Sequence, residues 1–182
     1  MSTDFAHKNI LVLGAGVTGT SVARFLQSRG AQVTLTDDTA EGAVKPSEVN
    51  LKDFGAVVIS PGWRQDHPLV AQILNSPIEL LNEIDIAWSL RAERAPGQKW
   101  IALTGTNGKT TTVEMTAAIL QAAGINAVAC GNVGDTVIDA VDRNDAYEVL
   151  VLELSSFQLH WARQAHFEAA AILNIADDHL DW

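Results

Sequence analysis

Short apolar runs alternate with helix-length amphipathic stretches along this 182-residue chain. Residues 9–14 (NILVLG) read as a buried strand, 17–30 (VTGTSVARFLQSRG) as a helix, and 31–38 (AQVTLTDD) as an alternating strand ending in acids, which makes one β-α-β unit. Residues 56–60 (AVVIS) form the next strand, stopped by Pro61-Gly62; 67–75 (HPLVAQILN) are helical, and 78–81 (IELL) are again a strand. Helical apolar spacing returns over 82–94 (NEIDIAWSLRAER), and the breaker APGQ at 95–98 predicts a domain boundary. A second series follows, with strands at 99–103, 126–130, 147–152 and 169–175 and helices at about 109–123 and 134–143.

Two glycine-rich turns stand where a strand gives way to a helix. Gly14-Ala15-Gly16-Val17-Thr18-Gly19 satisfies G-x-G-x-x-G, which allows a tight turn, close approach of a pyrophosphate, and N–H donors at a helix start. Asp37 follows Gly14 by 23 residues, at the end of the next strand, where its carboxylate can accept from a ribose or another polar ring. NAD binding and a tight turn without a ligand both remain open for this motif.

The second turn, Thr104-Gly105-Thr106-Asn107-Gly108-Lys109-Thr110-Thr111, departs from the full P-loop because Leu103 stands where the first glycine belongs. Its working parts are present nonetheless: backbone N–H groups to cradle phosphates, Lys109 for the terminal phosphates, and the Thr110 hydroxyl for Mg2+. Glu153 closes the strand YEVLVLE and can share a metal with Thr110, or be a solvated strand-end acid. His179, in DDHLD, is a metal ligand, a helix cap or an exposed side chain on the residues alone.

The fold class that these patterns predict is α/β, a Rossmann-like N-terminal domain over 1–94 followed by a truncated P-loop-type parallel α/β domain over 99–182. Ligand sites in open parallel sheets lie beyond the carboxyl ends of strands. The sequence stops at ADDHLDW just after a strand, so the second domain is expected to be incomplete.

Composition narrows the partners. With 47% hydrophobic and 19% charged residues the chain can bury a core. A net charge of −10 opposes binding to nucleic acid or an anionic membrane, so phosphates must be neutralised locally. Cys130 is the only cysteine, which precludes an internal disulfide and fits the cytoplasm. The apolar stretch at 10–17 is too short to span a bilayer and is interrupted by Gly14 and Gly16.

Taken in order, GAGVTG, SPG (Ser60, Pro61, Gly62), TGTNGKTT, GNVG, LELSSFQL and ILNIADDHLD resemble the Mur ligases of bacterial peptidoglycan synthesis, over essentially the whole chain. The resemblance implies that the first domain holds the UDP of a sugar substrate instead of NAD and that the second holds ATP. It places Val17 and Thr18 at the UDP phosphates, Asp37 near the uracil, and Ser60, Pro61 and Gly62 along the substrate path. It gives Gly105, Thr106, Asn107, Gly108, Lys109, Thr110 and Thr111 to ATP, with Lys109 at its phosphates. Thr110 and Glu153 fall to one Mg2+, and His179 to a second. Asn132 and Ser155 fall near the substrate and reaction centre, with Lys109, Asn132, Glu153 and His179 as the catalytic set. LELSSFQL points within the family to addition of D-glutamate to UDP-N-acetylmuramoyl-L-alanine through an acyl phosphate. Family members continue beyond residue 182 into a domain that binds the amino acid, so this chain is expected to be an inactive or partial fragment.

Overall fold

The computed structural model describes residues 4–178. The apolar runs become strands β1 (Asn9–Leu13), β2 (Gln32–Thr36), β3 (Ala56–Ile59), β4 (Glu79–Asn82), β5 (Lys99–Thr104), β6 (Ala127–Gly131), β7 (Val149–Glu153) and β8 (Ala169–Ile172). The helices are α1 (Val17–Ser28), α2 (Pro68–Leu74), α3 (Glu83–Arg94), α4 (Lys109–Ala122), α5 (Val137–Val141) and α6 (Ser156–Trp161). Two short 3-10 turns, Pro46–Glu48 and Leu51–Asp53, fill the polar stretch before β3.

Every strand pair is parallel, in two four-stranded sheets ordered β2-β1-β3-β4 and β6-β7-β5-β8. The continuous apolar runs have a physical reason: a parallel sheet covered on both faces needs apolar side chains at successive positions. Ile10–Leu13 of β1 and all of β3 and β7 are accordingly buried. In the first sheet, Val22, Phe25 and Leu26 of α1 and Leu69, Val70 and Ile73 of α2 supply buried cover. In the second, Val113 and Ala117 of α4 join Leu103, Ala127, Ala129, Val149 and Val151 in one cluster.

The chain forms two compact units, Met1–Ile86 and Ala87–Trp182, so the division falls inside α3. From the second half of that helix, Trp88 meets Trp100 edge to face at 5.0 Å, and Arg94 donates to the Asp142 carbonyl at 2.9 Å. The breaker at 95–98 ends the helix and leads into β5. Glu83 and Asp85 in its first turn and Arg91 and Arg94 in its last oppose the helix dipole, which favours its formation.

Each sheet has a switch point, where successive connections leave in opposite directions and open a crevice at the carboxyl ends of the strands. It lies between β1 and β3 in one sheet, and between β5 and β7 in the other. Both glycine-rich turns leave from these positions.

Candidate functional site

A helix start without a side-chain cap is the first property the two turns share. α1 begins at Gly16 and α4 at Gly108, neither with a side-chain cap nor with an acid in the first turn. By contrast, α2, α5 and α6 are capped by His67, Thr136 and Ser155, and α3 starts with acids. A helix start left without its own acceptor presents donors and positive potential to an anion. The two helices so left are those that follow the glycine-rich turns.

The first turn is held by its neighbours. Gly14 donates its N–H to the Thr36 carbonyl at 2.8 Å, and Ser60 donates its N–H to the Leu13 carbonyl at 3.0 Å, which brings the ends of β1, β2 and β3 together. A Cβ on Gly19 would lie 1.8 Å from the Gly14 carbonyl oxygen, so only glycine allows α1 to approach the turn this closely. Nothing lies within 4 Å of a Cβ built on Gly16 or on Gly62. Val17 is 76% exposed at the start of α1, while Thr18, Ser60 and Pro61 are half-buried. These residues therefore share one rim.

Asp37 does something the sequence pattern did not specify. Its Oδ2 accepts from the Ala15 N–H at 3.0 Å, and its Oδ1 accepts from the Thr39 N–H (2.9 Å), the Ala40 N–H (2.9 Å) and the Thr39 hydroxyl (3.1 Å). The Ala15 amide, followed by those of Thr39 and Ala40, lowers its pKa from 3.8 to about 2. The carboxylate is thus a brace between the glycine turn and the loop after β2. Beside it, Asp38 Oδ2 lies 3.4 Å from His67 Nε2.

The brace has a pH signature. A folded-state pKa below the unfolded value stabilises above about pH 4, and that stabilisation is lost as pH falls from about 4 towards 2. Asp37→Asn is expected to destabilise the first unit by about 1–2 kcal/mol at pH 7. In urea titrations the gap between parent and variant should narrow between about pH 4 and 2. A gap independent of pH would refute the brace.

The second turn gathers most of the predicted catalytic set. Lys109 Nζ donates to the Gly105 carbonyl at 2.7 Å and the Thr106 carbonyl at 3.0 Å, so its cation sits within the curve of the loop. The Thr110 hydroxyl donates to Glu153 Oε2 at 2.7 Å, and Asn132 Nδ2 donates to Glu153 Oε1 at 2.9 Å. Glu153 is 2% exposed, so its charge must be compensated by such partners. The Asn132 N–H also donates to the Glu153 carbonyl at 2.9 Å, which fixes the GNVG turn against β7.

Hard oxygen donors suit Mg2+, and the Thr110 hydroxyl and Glu153 carboxylate supply two of them side by side. Among the described residues, no group of three or more His, Cys, Asp or Glu could hold a metal. His179 lies outside the described residues.

Ser155 has a local role: its hydroxyl accepts from the Gln158 N–H at 3.2 Å, while its own N–H donates to Gln158 Oε1 at 3.0 Å. This capping box starts α6, a helix the sequence reading missed although Ser-x-x-Gln announces it. Asn107 and Thr111 are exposed on the loop and the first turn of α4. Sequence reasoning also missed Asn174, which touches the loop from beyond β8; no local signal identifies a contact across 67 residues.

The Mur ligase middle domain family matches residues 103–182. UDP-N-acetylmuramoylalanine–D-glutamate ligase of Nocardia farcinica is 42% identical over 190 residues, covering 96% of this chain and 40% of that protein. The protein of the same name from Streptomyces avermitilis is 41% identical over 197 residues, covering 99% of this chain and 42% of its own length. The chain thus spans about two fifths of the length of these curated relatives. Among solved structures, UDP-N-acetylmuramate:L-alanyl-gamma-D-glutamyl-meso-diaminopimelate ligase from Neisseria meningitides aligns with a TM-score of 0.55 at 20% identity, covering 97% of this chain and 63% of that one, a likeness of fold. Among the described residues, no helix is long and apolar enough to cross a membrane.

Proposed function

We propose that this chain, which belongs to the Mur ligase family, is the nucleotide-handling part of a ligase that joins D-glutamate to UDP-N-acetylmuramoyl-L-alanine, driven by ATP. Residues 1–94 bind the UDP-sugar and residues 99–182 bind ATP. The reaction belongs to the cytoplasm, where both nucleotides are available. The observation that carries this reading is the set formed by Lys109, Thr110, Asn132 and Glu153 at the carboxyl ends of the neighbouring strands β5, β6 and β7.

The chemistry follows from charge. A carboxylate oxygen of the muramoyl-alanine attacks the γ-phosphorus of ATP; the bond to the bridging oxygen of ADP breaks, and an acyl phosphate forms. The D-glutamate amine then attacks the acyl carbon, phosphate departs with one former carboxylate oxygen, and the amine loses a proton. Both partners of the first step are anions, so the rate depends on positioning and charge neutralisation. Lys109 supplies a fixed cation, and the N–H groups at the start of α4 supply donors. Thr110 and Glu153 would hold Mg2+, which when bound adds positive charge at the phosphates, with His179 assigned to a second ion. Asn132 orients the Glu153 carboxylate through its side-chain amide.

In the first unit, Val17 and Thr18 at the bare start of α1 bind the UDP pyrophosphate, and Ser60, Pro61 and Gly62 line the path of the sugar. NAD fits less well, because Asp37, the acid expected at a ribose, already accepts four hydrogen bonds from protein donors. Ser155 lies beside Glu153 and its neighbouring Leu154, and takes part near the reaction centre through the fixed start of α6.

Gly16→Val tests the first site. A Cβ built at Gly16 meets nothing within 4 Å, and the valine side chain fills the approach needed by a pyrophosphate. Titration calorimetry on the intact protein should detect UDP-N-acetylmuramoyl-L-alanine binding to the parent and a loss of at least ~10²-fold in the variant, with an unchanged melting curve. Equal affinity in both would remove the pyrophosphate from this turn, and NADH binding without UDP-sugar binding would favour an oxidoreductase.

A further inference from the structure

The loop at 105–108 is held by hydrogen bonds from the segment that follows β8. Asn174 Oδ1 accepts from the Asn107 N–H at 2.8 Å, while Asn174 Nδ2 donates to the Asn107 carbonyl at 2.8 Å, so one side-chain amide pairs with both polar groups of one residue. The Asn174 carbonyl accepts from the Thr106 N–H at 3.2 Å. Two residues on, the Ala176 N–H donates to the Thr106 hydroxyl at 3.0 Å. The contact is close: a Cβ on Gly105, whose φ is +142°, would lie 3.0 Å from the Asn174 carbonyl oxygen.

These bonds divide the N–H groups of the loop into two classes. Those of Thr106 and Asn107 are used within the protein. Helical bonding begins with the Thr112 N–H, which donates to the Gly108 carbonyl at 3.0 Å. The amides of Lys109, Thr110 and Thr111 precede that bond and stand at a helix start with no side-chain cap.

We infer that Asn174 is a positioning residue for this loop: it fastens Thr106 and Asn107, so that the amides of Lys109, Thr110 and Thr111 form the phosphate cradle. The inference rests on the reading of this loop as the ATP site. It deepens that reading by assigning the phosphate contacts to the start of α4, and by giving a role to a side chain that itself touches no reacting atom. Because the loop is anchored to the backbone after β8, its curvature is set before nucleotide arrives, which lowers the ordering cost of binding.

Residue-resolved amide exchange on the intact parent protein, with and without ATP and Mg2+, tests the division directly. Thr106 and Asn107 should be protected in both conditions; Lys109, Thr110 and Thr111 should exchange freely without nucleotide and slow at least ~10-fold with it. If Thr106 and Asn107 exchange as fast as Lys109–Thr111 without nucleotide, the fastening is wrong. If ATP leaves Lys109, Thr110 and Thr111 unchanged while Thr106 and Asn107 stay protected, the ATP reading of the loop falls and the cradle falls with it. Asn174→Ala supplies the second readout. Loss of one or two ordinary hydrogen bonds should raise KM for ATP about tenfold, leaving KM for UDP-N-acetylmuramoyl-L-alanine unchanged. Equal effects on both substrates, or none on ATP, would reduce Asn174 to an ordinary surface contact.

Discussion

Lys109→Ala in the intact protein is expected to lower ligation at least ~10²-fold while leaving UDP-sugar binding in place. The ammonium group lies 2.7 Å and 3.0 Å from two carbonyls of the loop, which hold it within the turn that the proposed function gives to the phosphates of ATP. Its removal takes away a preorganised charge in a reaction between two anions, in a protein whose net charge is −10. Glu153→Gln should cost a similar factor by a different route. The amide retains the shape of the carboxylate but loses the charge that would hold a divalent cation with Thr110. Steady-state rates at saturating Mg2+ check both variants, and parental turnover in either would remove that residue from the mechanism.

The largest effect on stability is expected at a glycine that contacts no proposed ligand. Gly19→Ala puts a methyl group 1.8 Å from the Gly14 carbonyl oxygen and 2.8 Å from its carbon. Backbone cannot yield as a flexible side-chain end can. Relief requires α1 to move away from β1, at a cost above the ~1–3 kcal/mol usual for an overfilled core and a large part of the ~5–15 kcal/mol that holds a typical domain together. Urea unfolding should show loss of the cooperative transition of the first unit or a strongly lowered midpoint. Gly16→Ala, with nothing within 4 Å, should unfold like the parent. Equal midpoints for Gly19→Ala and the parent would mean that the close approach of α1 is not a constraint.

Strands β1, β3 and β7 were legible because a strand covered on both faces writes itself as a continuous apolar run, whereas β2 was read from alternation. Ends were less legible where tertiary contacts decide them. The expected strand at 169–175 stops at Ile172, because the following backbone leaves the ladder to hold Thr106 and Asn107. The helix expected at 134–143 shrinks to Val137–Val141, since Thr136 accepts from the Asp139 N–H and starts the helix late.

Motif spacing singled out Lys109, Thr110 and Glu153 as candidates, and the fold sets the Thr110 hydroxyl against Glu153 because β7 lies beside β5. Sheet order is not written in periodicity, so neither the Asn132–Glu153 bond nor the reach of Asn174 could be read from the residues alone. Asp37 was singled out as an acceptor for a ribose or another polar ring. Its partners were not, because they are backbone amides of two separate loops.

The central claim, that the two turns bring a UDP-linked carboxylate and ATP into one reaction, is tested most directly by following oxygen. UDP-N-acetylmuramoyl-L-alanine labelled with 18O in its carboxylate is incubated with the intact protein, ATP, Mg2+ and D-glutamate, and the inorganic phosphate is analysed by mass spectrometry. Attack of the carboxylate on the γ-phosphorus predicts one labelled oxygen in phosphate for each amide bond formed. Amide formation with unlabelled phosphate, or no ATP-dependent amide at all, would contradict the account.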